Sequence, residues 1–203
     1  MAPVAANVAG ERICALQQDR PSREPDRAVA PHLSAILVRR ARTQDLRPLL
    51  ELAQTLIGGE HATEGVVRGV AIHRPDSIWA FVHGTRIVGV FAMLLLNAAG
   101  LKSLLAQKIN TKDPSMEFLA TPDEVPAGIY LWAVAHSSAS DGISQMFGLL
   151  QSAPYCSANI FAAPATARGL RFLRGWGFQP VIGDTRNLQQ YVRLANRPAK
   201  RGG

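Results

Sequence analysis

The chain has 203 residues, 47% apolar and 18% charged, a balance typical of a globular domain that excludes a disordered chain. Two cysteines, Cys14 and Cys156, are too few for a disulfide framework, so we expect reduced thiols and a cytoplasmic protein. The net charge of +7 is concentrated in residues 160–203, which carry eight basic residues and one acidic residue. That concentration favours phosphate groups or acidic partners.

One domain with an extension at each end is the predicted organisation. Residues 1–34 are rich in Ala, Pro and Arg without a sustained period, which indicates a flexible extension. Residues 35–195 form the predicted domain, and residues 196–203 form a basic tail. The long apolar run over 87–101 is shorter than the roughly 20 residues of a membrane helix, so no membrane partner is expected.

In chain order, the domain opens with a strand, two helices and a hairpin of two strands. Thr43 is expected to cap the first helix and Gly58 to end it, because hydroxyl residues cap N-termini and glycine ends helices. The predicted ranges are Ala35–Arg40, Thr43–Ile57, Thr63–Ile72, Ser77–Val82 and Arg86–Leu95.

A long connection over residues 97–127 follows the hairpin. We expect a helix over Leu101–Ile109 and then irregular structure, because three prolines interrupt the remainder. Connections of this length in compact domains are often functional. Four residues are candidates for contact with the acceptor substrate: Glu117 and Glu124 in this connection, and His61 and His73 around the second helix. The competing interpretation for each of them is an ordinary solvated surface residue.

The segment from Gly128 to Val181 alternates strands and helices. An apolar strand leads into a loop of small and polar residues over 136–144, and an amphipathic helix comes next. The remaining predicted elements are Ser157–Ala162, Thr166–Arg174, Gly177–Val181 and Asn187–Leu194. A strand that feeds such a loop and a helix N-terminus forms an anion site, because unpaired amides and the helix dipole favour negative charge.

This segment resembles the cofactor half of the GNAT superfamily of acyl-CoA-dependent N-acetyltransferases. Gly142 and the small Ser144 stand where the family's loop motif has its glycine and its last small residue, whereas Ala139 replaces the usual long polar side chain. Ala133-Val134 matches the apolar pair before the loop, and Gly177-Phe178 matches the end of the last helix.

The resemblance implies an α/β fold with a GNAT-like twisted mixed sheet, whose central parallel strands splay apart. It also implies acetyl-CoA as co-substrate, with no metal. Pantetheine would lie along Ala133 and Val134 and the phosphates near Arg168. The pyrophosphate would lie on the amides of Ala139, Ser140, Asp141, Gly142, Ile143 and Ser144. Gly142→Glu should then abolish cofactor binding and leave the fold intact.

Acetyl transfer needs a base for the amine and an acid for the leaving thiolate. The tyrosine that often serves as the acid in the family is replaced here by Leu173. His136 and Tyr130 are the candidate catalytic substitutes. Loop capping is the competing interpretation for His136, and a half-buried packing role is the competing interpretation for Tyr130.

The predicted function is transfer of an acetyl or other acyl group from acetyl-CoA to an amine on a small molecule or peptide. The alternative is a catalytically weak or inactive GNAT-fold module that binds CoA for regulation, favoured by Ala139 and Leu173. The basic C-terminal quarter also leaves open a nucleic-acid partner, such as charged tRNA. A homodimer stays open as well.

Overall fold

The computed structural model describes residues 36–58, 61–137 and 140–192. The predicted extension over 1–34 and the basic tail over 196–203 lie outside the described residues, as do Cys14 and Ala139. Cys156 is not a free thiol, so the expectation of reduced cysteines is not confirmed. Within the described part of the chain, no helix is long and apolar enough to cross a bilayer.

Seven strands and five helices make up the described domain, together with two short 3₁₀ turns. The strands are β1 (Leu37–Arg40), β2 (Ile78–His83), β3 (Arg86–Leu96), β4 (Gly128–His136), β5 (Asn159–Ala162), β6 (Gln179–Pro180) and β7 (Gln189–Tyr191). The helices are α1 (Leu46–Ile57), α2 (Glu64–His73), α3 (Ala98–Leu105), α4 (Ser140–Leu149) and α5 (Ala167–Gly175).

The strands form one mixed sheet in the order β1-β2-β3-β4-β5-β7-β6. All neighbours are antiparallel except β4 and β5, which are parallel and are joined through α4. This is the predicted α/β architecture, and the parallel central pair is confirmed. A parallel pair needs a crossover connection, which explains why the amphipathic helix stands between these two strands.

The central pair separates part-way along β4. Pairing with β5 runs from Gly128 to Leu131 and ends there, although β4 continues to His136 on its other neighbour, β3. A bulge lies at the same point, since Ala92 pairs with Ala133 and Met93 with Leu131, which leaves Trp132 without a partner. A bulge bends its strand, so it turns the second half of β4 away from β5.

Both faces of the sheet are covered by helices. On β3, alternate side chains point to opposite sides, as the period of a strand requires. Phe91 and Met93 pack with α4 residues such as Met146 and Phe147. Val90 and Ala92 pack with Leu46 and Leu49 of α1. The continuous apolar run of β3 is therefore a strand covered on two sides.

The helix boundaries correct two details of the sequence prediction. Asp45, not Thr43, organises the start of α1, because its carboxylate accepts the Arg42 amide at 2.7 Å and pairs with Arg39. The helix in the long connection begins at Ala98, three residues earlier than predicted, because the Asn97 side chain accepts the Gly100 amide at 2.9 Å. An asparagine cap is polar and lies outside the apolar periodicity of a helix, so that periodicity did not predict this start.

Candidate active site in the cleft between β4 and β5

A cleft of about 280 Å³ opens where β4 and β5 separate. Residues 131–136 of β4 form one wall, and residues 162–166, from the last residue of β5 onward, form the other. Residues 168, 169, 172 and 173 of α5 and the end of α1 close its sides. Because β4 has lost its strand partner here, its backbone groups on that side are available to a ligand that lies along the strand.

A second cavity of about 220 Å³ lies on the α1 side of the sheet. Apolar residues of α1, β2 and β3 line most of it, and Thr111 and Lys112 of the long connection complete its wall. The cavity and the cleft share five lining residues: Ile57, Trp132, Ala133, Ala163 and Ala165. The two spaces therefore adjoin beside the bulge of β4.

Trp132 fixes this junction. Its indole nitrogen donates a hydrogen bond to the Thr111 carbonyl at 2.6 Å, which ties the long connection to the bulged strand. A bulge re-aims the side chain of the extra residue, so Trp132 lines both spaces. The long connection thus contributes to the site through Thr111 and Lys112, which the sequence interpretation did not single out.

Neither of the acidic residues predicted to contact the acceptor lines the cleft or the cavity. The Glu124 carboxylate accepts the Thr121 amide at 2.7 Å and stabilises a local turn. The Glu117 carbonyl accepts the Asn97 side-chain amide at 2.7 Å. Of the two histidines considered for the acceptor, His61 lines the second cavity, whereas His73 lines neither space.

Four of the predicted cofactor residues line the cleft: Ala133, Val134, Ile143 and Arg168. Ser140 is the first residue of α4, and Asp141 and Ser144 are exposed in its first turns. α4 therefore begins just beyond the end of β4 that walls the cleft. A helix N-terminus in that position attracts anions through its free amides and its dipole.

Gly142 has a packing role that the sequence did not predict. A β-carbon at this position would lie 2.9 Å from the ring of Phe81, which is fully buried in β2. The glycine is thus required for close packing of α4 on the sheet. Gly142→Glu would disturb the core, so the expectation that this variant keeps its fold is wrong.

The two candidate catalytic residues line different spaces. His136 lines only the cleft, and Tyr130 lines only the second cavity. His136 lies four residues beyond the bulge, about 13 Å along the strand at the rise of an extended chain. It is therefore nearer to the N-terminus of α4 than to the junction of the two spaces.

The surroundings of both candidates shift their ionisation. Burial, and then the charge of Arg168, lower the pKa of the His136 imidazole below its ordinary value. Burial is also the main cause that raises the pKa of Tyr130 above its ordinary value, and a hydrogen bond with Thr111 partly offsets it. Both groups are therefore held in their neutral forms near neutral pH.

The walls of both spaces are poor in acids. No aspartate or glutamate lines the cleft or the second cavity in the described part of the chain. Leu173, at the position where the resembling family often has a tyrosine, does line the cleft with an apolar side chain. No cluster of three or more metal-ligating side chains occurs among residues 36–58, 61–137 and 140–192.

Solved structures share this architecture. The loading GNATL domain of CurA from Lyngbya majuscula superposes with a TM-score of 0.56 at 19% identity, over 77% of this chain and 96% of that domain. The chain has the GNAT fold. No protein-family model matches the sequence, and neither does any curated protein.

Two further GNAT-fold structures resemble the chain more weakly. Diaminobutyrate acetyltransferase EctA from Paenibacillus lautus, in complex with its substrate and coenzyme A, has a TM-score of 0.48 at 16% identity, covering 70% of this chain and 75% of that one. An acetyltransferase from Streptococcus agalactiae has a TM-score of 0.48 at 11% identity, and the match covers 80% of this chain and 99% of that one. At these identities the likeness concerns the fold alone.

Proposed function

We propose that the protein is an acyltransferase of the GNAT type, which uses acetyl-CoA or another acyl-CoA to acylate an amine. The observation that carries the proposal is the cleft between β4 and β5, where the pairing of β4 with β5 ends at Leu131 while β4 continues along β3. Pantetheine can add to this edge as an extra strand through its amides. Such a placement would run from the α4 N-terminus to the junction with the second cavity.

Ala133 and Val134 would contact the pantetheine arm, and the first turn of α4 would hold the pyrophosphate. Arg168 adds a cation to the same cleft, close enough to His136 to influence its ionisation. A helix N-terminus and an arginine together suit a phosphate-bearing ligand. His136 lies at this end of the cleft, so we assign it to the phosphate region in preference to catalysis.

The acceptor would enter through the second cavity, because that cavity meets the cleft where the thioester would lie. The amine nitrogen attacks the thioester carbonyl carbon, the carbon–sulfur bond breaks, and the amine proton is passed on while CoA leaves as its thiol. Tyr130 lines the acceptor side, and its raised pKa keeps the phenol protonated as a donor.

The alternative function is a CoA-binding module without turnover. The apolar Leu173 and the scarcity of acids around both spaces favour it, since these are the groups that usually move protons in acyl transfer. Calorimetry with acetyl-CoA and with desulfo-CoA tests binding, and thiol release over a panel of amines tests turnover. Failure of both CoA forms to bind would contradict the proposal, and binding without turnover would support the module.

A further inference from the structure

The cleft has a closed end beside the bulge of β4. Pairing between β4 and β5 reaches Leu131, which lies opposite Ala162, and both residues line the cleft. Paired strands leave no room for a ligand between them, because their backbones lie only about 4.8 Å apart. A chain that enters at the α4 end and runs along β4 therefore stops at this pair. The second cavity, which adjoins the cleft here, offers such a chain a way onward.

The passage from the cleft to the second cavity is surrounded by the residues that line both spaces. These residues are Ile57, Trp132, Ala133, Ala163 and Ala165. Three of the five are alanines, whose side chains are single methyl groups. The indole of Trp132 is the largest side chain of the set, so the width of the passage depends chiefly on where this ring lies.

The indole of Trp132 is held in place from several directions. Its nitrogen donates a hydrogen bond to the Thr111 carbonyl at 2.6 Å. The side chain packs against one apolar cluster that includes Leu46 and Val90, and against another that includes Tyr130. An aromatic ring with a bonded N–H and packed surroundings is confined to one rotamer. The indole is thus a rigid wall beside the passage.

We propose that Trp132 determines the length of the acyl group: its indole narrows the passage and limits the protein to short acyl chains, such as acetyl and propionyl. This inference rests on the proposed function, because it concerns the acyl donor of that same cleft. A chain of six or eight carbons has to pass the indole, and displacing the ring breaks its bond with the Thr111 carbonyl and its packing. The same limit keeps the second cavity open to the acceptor.

The first test measures binding, so it does not depend on turnover. The full chain is titrated by calorimetry with CoA, acetyl-CoA, butyryl-CoA, hexanoyl-CoA and octanoyl-CoA. We expect the wild type to bind hexanoyl-CoA no more tightly than acetyl-CoA. Trp132→Ala should bind hexanoyl-CoA about tenfold or more tightly than acetyl-CoA, because each methylene group that enters the apolar second cavity adds about fourfold in affinity.

A conservative variant separates the bulk of the indole from its hydrogen bond. Trp132→Phe keeps an aromatic ring but loses the donor to the Thr111 carbonyl. It should bind hexanoyl-CoA more tightly than the wild type does and less tightly than Trp132→Ala does. If Trp132→Ala does not fold, a gain in hexanoyl-CoA affinity in Trp132→Phe carries the same conclusion, and an unchanged affinity overturns it.

Trp79→Ala is the matched control. Trp79 is also half-buried, and its indole nitrogen donates to the Asp76 carbonyl at 2.7 Å, but it lines neither space. We expect this variant to keep the wild-type order of affinities. The readout is a ratio of two affinities measured on one variant, so a general loss of stability, followed by thermal unfolding, does not imitate the effect.

Thiol release with one amine and each acyl-CoA gives the second readout, the ratio of kcat/KM for acetyl-CoA to that for hexanoyl-CoA. We expect this ratio to fall about tenfold or more in Trp132→Ala, as expected when a pocket gains room for additional methylene groups. It should stay at the wild-type value in Trp79→Ala.

The outcomes distinguish this inference from the proposed function. Failure of CoA and acetyl-CoA to bind the wild type would contradict the proposed function. Binding of both, with the same chain-length preference in the wild type and Trp132→Ala, would support the function and overturn the inference. A wild type that binds hexanoyl-CoA more tightly than acetyl-CoA, or an equal change of preference in Trp132→Ala and Trp79→Ala, would also overturn it.

Discussion

Arg168 and His136 are neighbours in the wall of the cleft, and their coupling gives a prediction at the scale of single residues. Arg168→Ala should raise the pKa of His136, but not fully to its ordinary value, because burial is the larger cause of the shift. NMR titration of the imidazole measures this change. Arg171→Ala on the exposed side of α5 is the control, and an equal shift in both variants would contradict a specific coupling.

The sign of the His136 shift also sets a pH dependence. A histidine whose pKa is lowered in the folded state contributes stability above its unfolded value of about 6.5 and loses it as the pH falls through the folded pKa. His136→Gln should therefore flatten the stability of the protein over that acidic range. Urea unfolding at several pH values measures it, and parallel curves for the two proteins would contradict the shift.

Asp45 provides a second prediction at the residue scale. Its carboxylate accepts two hydrogen bonds from Arg39, at 2.5 and 3.1 Å, and one from the Arg42 amide, and these contacts lower its pKa. Asp45→Asn should cost about 2 kcal/mol of unfolding free energy at pH 7, as expected for hydrogen bonds to a charged group. Denaturant unfolding measures this cost.

The pH dependence of that loss follows from the direction of the shift. The stabilisation by Asp45 is present above its ordinary value of 3.8 and is lost as the pH falls through the lower folded pKa. The difference between wild type and Asp45→Asn should therefore shrink in strong acid. The exposed Asp113→Asn is the control, and a difference that stays constant with pH would contradict the ion pair.

At the scale of elements, a buried polar network joins the turn between α2 and β2, the end of the long connection and the segment before β5. Arg74, 1% exposed, pairs with Asp76 at 2.8 Å and donates to the carbonyls of Thr121 and Glu124. The Tyr155 hydroxyl donates to the same Asp76 carboxylate. Burial opposes the ionised Asp76, but the donors from Arg74 and Tyr155 outweigh it and lower its pKa.

Removal of the Arg74 donors should lower the free energy of unfolding more than removal of the Tyr155 donor. Arg74→Met leaves the buried Asp76 carboxylate without its cation and takes a donor from the carbonyls of Thr121 and Glu124, so it should cost about 3–5 kcal/mol. Tyr155→Phe removes one donor and should cost about 1–2 kcal/mol. Chemical denaturation measures both, with hydrogen exchange of residues 119–127 to show the loosened connection. Equal costs for the two variants would contradict Arg74 as the centre of the network.

At the scale of the whole molecule, the separation of two strands creates the cleft, so filling the cleft should block the cofactor without loosening the fold. Ala165 is exposed and lies where the cleft and the second cavity meet. Ala165→Trp should weaken CoA binding more than tenfold by calorimetry while Tm changes little, because the new side chain occupies ligand space and not core.

Ala106→Trp is the matched control for that variant. Ala106 is exposed in the turn after α3 and lines neither space. We expect it to bind CoA like the wild type. Unchanged CoA affinity in Ala165→Trp would place the cofactor elsewhere and contradict the proposed function.

Local sequence patterns determined most of the elements of this protein. The apolar runs of β2 and β3, the amphipathic face of α1 and the strand–loop–helix order around α4 depend on neighbours in the chain, so they could be predicted directly from the sequence. The predicted starts of α2 and α5, at Thr63 and Thr166, lie within a residue of the observed ones, and both hydroxyls cap the amide three residues further on. The parallel central pair followed from the crossover that such a pair requires.

The tertiary structure alone decided what surrounds the site. Trp132 lines both spaces only because a register shift against β3 re-aims it, and Thr111 and Lys112 reach the second cavity only because that indole binds their segment. Gly142 fitted a phosphate loop in sequence, whereas the nearness of Phe81, 61 positions earlier, shows a packing role. Contacts between residues that are distant in the chain determine the shape and charge of a cavity. Because such contacts produce no periodic pattern in the sequence, these properties could not be predicted from local patterns.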